Sequence, residues 1–148
     1  MSQAISVDTP FLRDLGVEFL SMENGEASIA LDLLPRHMNG WDATHGGVTM
    51  TLLDVVMSLA GRSLDPTARA GVTIEMKTNF LQPGGVAGGR IVAKGRAYHR
   101  TITMCFCEGE VWNDDQLIAK AMGTFKYLRR LDIGKKLGEN LLVAKAKS

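Results

Sequence analysis

Between His45 and Arg62 the chain carries one ionisable residue, Asp54, amid Val48, Met50, Leu52, Leu53, Val55, Val56, Met57, Leu59 and Ala60. Helical periodicity over Gly46 to Arg62 leaves hardly any polar face, so this helix must be buried on most sides, unlike an ordinary surface helix. A carboxylate there is costly without partners. The spacing suggests how it is tolerated: Gly47, Thr51, Asp54 and Ser58 recur at steps of four, three and four and so form one narrow small-or-polar stripe. Such a stripe is expected to face a crevice. A blander reading stands beside it, in which Asp54 pairs with a buried Arg or Lys and Gly46-Gly47 only permits a tight turn.

What surrounds the helix reads as strands. Val17 to Met22 and Glu26 to Leu33 are apolar-rich runs joined by Asn24-Gly25, the dipeptide suited to a tight hairpin. Four further runs follow, Gly71 to Leu81, Arg90 to Tyr98, Thr101 to Trp112 and Leu117 to Tyr127. The turns between them, Gln82 to Gly89, His99-Arg100 and Asn113-Asp114-Asp115, are short enough to favour antiparallel neighbours. Thr9 to Gly16, with a cap-like Thr, a Pro and a Gly stop, predicts a short opening helix lying on the sheet as a lid. The fold class is α+β, a curved antiparallel sheet wrapped around one long central helix. With 148 residues, 45% of them hydrophobic, residues 1–130 make a single domain with one core. Residues 131–148, with Lys135, Lys136, Lys145 and Lys147, read as a basic, loosely packed tail.

Seventeen Lys and Arg against sixteen Asp and Glu give a net charge of +1, which supplies no electrostatic footprint for nucleic acid. The start of the chain lacks the basic and apolar pattern of a signal peptide, and no membrane partner is expected, so the default address is the cytoplasm. Cys105 and Cys107 share a strand face, an arrangement that seldom forms a disulfide and lacks partners for a metal site. They read as small buried hydrophobes.

At the helix start, Gly46 and Gly47 allow close approach to backbone amides that have no intrahelical acceptor. Fixed N–H donors at the positive end of a helix dipole suit a developing oxyanion. Gly47 is the expected donor, with Asp54 about two turns further along the same stripe. His45, just before the helix, reads on its own as a cap or a packed polar residue.

Asn39, followed six positions later by His45-Gly46-Gly47 and then by Thr51-Leu52-Leu53-Asp54, resembles the hotdog thioesterases of the phenylacetate-degradation (PaaI-like) type. Gly71 to Pro83 and Ala119 to Phe125 look like that family's third and last strands, so the resemblance runs from about Val17 to Tyr127. It implies hydrolysis of acyl- or aryl-CoA thioesters by a homodimer, often paired into a tetramer, with two sites at the dimer interface and no metal or organic cofactor. By position, Gly47 corresponds to the oxyanion-hole amide and Asp54 to the catalytic carboxylate. Asn39 and His45 correspond to polar residues lining the thioester, and Thr73 to a residue that positions the attacking water. Gly46, Thr51 and Ser58 would complete the substrate-binding stripe.

Strand alternation places Thr73, Glu75, Lys77 and Asn79 on one face and Val72, Ile74, Met76 and Phe80 on the other. The apolar face is expected to pack on the helix of its own chain, which would turn Thr73 toward a partner's site. Where the family usually has a Gly three residues before the His, this chain has Asp42, either a solvent-facing or capping residue or a second acid near Asp54. CoA carries phosphates, for which Arg96, His99, Arg100, Lys120 and Lys126 are the candidate ligands. The rival reading from another class is a non-catalytic acyl-CoA-binding module, which would keep the groove without needing Asp54.

Overall fold

The computed structural model describes residues 9–129, and the basic tail expected over 131–148 lies outside the described residues. Six strands form one sheet: β1 (Glu18–Glu23), β2 (Glu26–Asp32), β3 (Ala70–Phe80), β4 (Arg90–Arg100), β5 (Met104–Asn113) and β6 (Gln116–Leu128). Their spatial order is β1-β2-β4-β5-β6-β3 with every pairing antiparallel. Among the described residues two α-helices accompany the sheet, α1 (Pro10–Leu15) and the long α2 (Gly46–Leu64), with a single 3-10 turn, Pro35–His37, between β2 and α2. This is the α+β architecture read from the sequence, with α2 the filling and the curved sheet its wrapping.

Local chemistry accounts for the ends of these elements. Thr9 Oγ1 caps α1, Pro10 opens it, and Gly16 closes it in the left-handed conformation at φ 94°. Asn24 and Gly25, both at positive φ, turn β1 into β2. β4 continues through His99 and Arg100, which the sequence reading made a turn. The chain turns instead at Thr101 to Thr103, where Thr101 Oγ1 accepts the Thr103 and Met104 amides.

α2 buries Leu52, Leu53, Val56, Met57, Leu59 and Ala60 against Ile29, Leu31, Ile91, Ala93, Val111, Ile118 and Phe125 of the sheet. The helix approaches the strands closely because glycines lie beneath it. A β-carbon on Gly95 would stand 2.5 Å from the Val56 carbonyl oxygen, and one on Gly109 3.0 Å from Met57. Cys105 and Cys107 are free and buried in this core, as expected. By length and composition α2 could cross a membrane, but its apolar residues serve the core. Its far side is less covered than the sequence suggested, and Met50 remains 38% exposed.

α1 is attached by fewer contacts than a lid spread over the sheet would make. Leu12 is its buried residue, and the fully buried His37 donates from Nε2 to the Leu15 carbonyl at 2.8 Å.

The C-terminal end of α2 is stapled by a charge network the sequence reading did not anticipate. Asp65, buried, accepts from Arg69 through both carboxylate oxygens and from Arg100 at 3.1 Å, while both guanidiniums lie over the Tyr127 ring. Tyr127 in turn donates to the Gly61 carbonyl at 2.6 Å. Chiefly the Arg69 guanidinium, helped by the Arg69 amide and Thr67, holds the Asp65 carboxyl well below the usual carboxylate range, against the opposing effect of burial. A depressed folded-state value contributes stability above the unfolded value of about 4, and that contribution is lost as pH falls. Asp65→Asn should therefore be less stable than the wild type at neutral pH, the gap narrowing steadily below about pH 4, in urea unfolding followed across pH.

Candidate active site

α2 begins with His45 as its N-cap. The His45 amide donates to the His37 carbonyl at 2.8 Å, and the His45 carbonyl accepts the Val48 and Thr49 amides. The His45 ring folds over the helix start, where Nδ1 accepts the Gly47 N–H at 2.9 Å. This corrects the expectation that the Gly47 amide is the free donor, because an N-cap side chain is placed to take the second or third amide of its helix. The Gly46 N–H, one residue earlier, donates to no acceptor among the described residues. The Phe80 ring lies against Gly46, 3.5 Å from where a β-carbon would be. Gly46 is therefore the open amide at the positive end of α2.

The polar stripe of α2 runs beside the edge strand β3. Ser58 lies opposite Gly71, with its hydroxyl 3.5 Å from the Gly71 carbonyl, Asp54 lies opposite Thr73, and Gly46 lies opposite Phe80. Thr73 Oγ1 donates to Asp54 Oδ1 at 2.5 Å. Thr73 thus serves the carboxylate of its own chain, which overturns the expected orientation toward a partner. The cause is a bulge between Thr73 and Glu75 in the pairing with β6. Before the bulge Gly71 and Thr73 face the helix; after it Met76 and Phe80 do, while Ile74 is 55% exposed. Simple alternation therefore holds for Met76 and Phe80 and fails for Val72, Ile74 and Thr73.

The other stripe residues have internal partners. Thr51 Oγ1 donates to the Gly47 carbonyl at 2.8 Å, so its proton is used within the first helical turn. Asp54 remains as the group with an uncommitted oxygen, Oδ2.

Asn39 braces the loop before α2. Its Oδ1 accepts the Trp41 and Ala43 amides at 2.9 and 3.1 Å, and its own amide donates to the Ala43 carbonyl. At the tip, Trp41 is 92% exposed and Asp42 sits at φ 58°, a left-handed position that Gly adopts freely and Asp tolerates. That explains how Asp can replace the family's usual Gly. Asp42 is exposed and borders a cavity of about 330 Å³ with Pro35, Met38, Val86 and Ala87, not Asp54. Its conformation marks it as a turn residue rather than a second acid.

None of the three residues named first for phosphate faces the stripe. Arg96 points to the outer face of the sheet and donates through Nε and Nη2 to Glu108, and the His99 ring lies tilted beside Phe106. Arg100 is committed to Asp65. Lys120, also on the outer face, lies 3.7 Å from Glu110, and Lys126 is exposed on β6.

Because Asn39 holds two amides of an exposed turn, Asn39→Ala should lower stability by about 1 kcal/mol. Asp42→Gly, which relieves the left-handed strain, should be neutral within about 0.5 kcal/mol or mildly stabilising. Paired urea denaturations measure both.

Residues 43–120 match the family model of the Thioesterase superfamily. The chain is 30% identical over 133 residues to the medium/long-chain acyl-CoA thioesterase YigI of Salmonella typhimurium, covering 78% of this chain and 84% of that one. It is 28% identical to the acyl-coenzyme A thioesterase PaaI of Escherichia coli, over 69% of this chain and 70% of that one. Among solved structures, the conserved protein PA5202 from Pseudomonas aeruginosa superposes with a TM-score of 0.77 at 31% identity, covering 82% of this chain and 95% of that one. With the matched segment spanning the His45-Gly46-Gly47 turn, Asp54 and Thr73, the chain belongs to the Thioesterase superfamily as a PaaI-like hotdog thioesterase.

Proposed function

We propose that the protein hydrolyses acyl-CoA thioesters to the free acid and CoA at a site shared by two copies of the chain, without metal or organic cofactor. The observation that carries this reading is Asp54, held at Oδ1 by Thr73 and open at Oδ2, on the same helix whose N-terminus offers the Gly46 N–H. A carboxylate so placed can take a proton from water while the water oxygen adds to the thioester carbonyl carbon. The N–H stabilises the oxyanion, the carbon–sulfur bond then breaks, and CoA leaves as the thiolate. The names of YigI and PaaI support a CoA thioester, and an apolar acyl group suits the Met50, Met76 and Phe80 surroundings. Two free, buried thiols suit a reducing, cytoplasmic compartment.

The helix itself favours a site built from two chains. From Gly46 to Asp54 the axis rises about 12 Å, whereas one thioester requires a donor within about 3 Å of its carbonyl oxygen and a base one water from its carbon. A second copy supplies the missing half if it docks along β3. That strand is an edge, exposed Ile74 and Phe80 lie on it, and Met50 is exposed on α2. Antiparallel pairing about Met76 would set Glu75 opposite the partner subunit's Lys77 in both directions, an arrangement that attracts rather than repels. The resulting dimer buries the apolar side of α2 that the single chain leaves open. A further pairing of dimers is consistent with the family resemblance.

Thiol release from a panel of acyl-CoAs tests the chemistry. Wild-type turnover should fall about 10³-fold or more in Asp54→Asn and on the order of 10²-fold in Thr73→Val, with Thr73→Ser retaining most of it. Acyl-CoA binding with no turnover would reject the enzyme in favour of a binding module.

Gly46→Pro removes only the open N–H. Pro is accepted at the first helical position, and His45 already has the extended ψ of 135° that must precede it. Gly46→Pro and Asp54→Asn should each be nearly inert, but refolding the two together should restore about a quarter of wild-type activity: half the dimers are hybrid, each with one intact site. No restoration would place both groups of a site on one chain.

A further inference from the structure

Resting on the thioesterase reading, we infer that Gly47 acts as a positioning residue whose backbone amide fixes the tautomer of His45, so that the imidazole presents an N–H donor to the thioester. A ring nitrogen that accepts a hydrogen bond carries no proton, so the Gly47 N–H on Nδ1 at 2.9 Å places the imidazole proton on Nε2. The ring can take this pose because residue 47 has no side chain. A β-carbon there would stand 3.1 Å from Nδ1 and 3.4 Å from Cε1, tighter than ordinary contact.

The backbone holds His45 from both sides as well, through the His37 carbonyl on its amide and the Val48 and Thr49 amides on its carbonyl. His45 is exposed on the same end of α2 as the open Gly46 amide. Negative charge gathers on the thioester as it is hydrolysed, and an N–H facing that charge stabilises it where a lone pair would repel it. The two glycines therefore have separate tasks: Gly46 offers its amide to the substrate, and Gly47 uses its amide to aim a side chain.

The test combines spectroscopy with two variants of the full chain. Nitrogen-15 spectra of histidine-labelled protein, assigned with His37→Gln and His99→Gln, should show His45 as the Nε2–H tautomer. In Gly47→Ala the displaced ring should show mixed tautomers, with kcat down about tenfold or more and KM within about twofold. His45→Asn separates capping from donation, because its side-chain oxygen can still accept the Gly47 N–H. It should keep the wild-type melting temperature and lose about 10²-fold in kcat. An Nδ1–H tautomer in the wild type, or wild-type kcat in His45→Asn, would overturn the inference. Absence of turnover in the wild type would remove the thioesterase reading and the donor role with it, while the spectrum still decides the tautomer.

Discussion

Close contact between α2 and the sheet is the constraint on which everything else in this molecule depends, and glycines make it possible. Gly95 of β4 lies directly beside Gly109 of β5, and Gly123 of β6 pairs with Cys107 of β5, so the three form a shallow trough across the middle strands. Val56 and Met57 seat in it, the Val56 carbonyl where a β-carbon on Gly95 could not fit and the Met57 side chain crowding Gly109 and Gly123. A helix held so low cannot rotate about its axis without forcing Leu52, Leu53 or Met57 into the strands. Its polar stripe is thereby aimed along β3, and Asp54 meets Thr73 because the trough leaves it no other direction.

The bulge in β3 completes that alignment. Without it, a strand that turns Met76 and Phe80 toward the helix would turn Thr73 away from it. One inserted residue lets the first part of the strand present Gly71 and Thr73 to the polar half of α2, and the second part present apolar side chains to its start. The same strand is then both the wall of the crevice and the open edge of the sheet, which is why the proposed site and the proposed docking surface for a second copy coincide. The Asp65 network at the other end of α2 has no such duty. It ties the helix C-terminus to Arg69, the residue before β3, and to β4 through Arg100, opposite the end where chemistry is proposed.

Much of this was legible in the sequence, and the reasons are physical. The apolar run of α2, the Asn24-Gly25 turn and the strand runs are local patterns whose periods differ, so the α+β sheet-and-helix architecture followed from them. Asp54 was legible because a lone acid in such a helix demands an explanation. The orientation of Thr73 was not, since a bulge shifts a strand's register without leaving a local mark in residues 73–75. Arg100 read as a free cation because its partner, Asp65, is 35 residues away in the chain. The identity of the open amide was readable in principle: once His45 is taken as the cap, the rule that a cap accepts from the second or third amide already assigns Gly47 to it.

That assignment changes how the helix terminus works. Four N–H groups at the start of an α-helix lack acceptors within it. Here the His45 amide reaches the His37 carbonyl, Gly47 reaches the His45 ring and Val48 reaches the His45 carbonyl, so among the described residues one of the four, that of Gly46, remains. A single fixed donor beside a capped neighbour binds one oxygen in one place, whereas several free donors would also welcome water or a stray anion in alternative poses. The cap therefore does more than stabilise the helix. It narrows a diffuse positive end to the Gly46 N–H, and that N–H lies too far along the axis from its own Asp54 to share a carbonyl with it. Under the proposed dimer, the geometry of one helix end thus bears on quaternary structure, since the acid that works with this amide would be the neighbouring copy's.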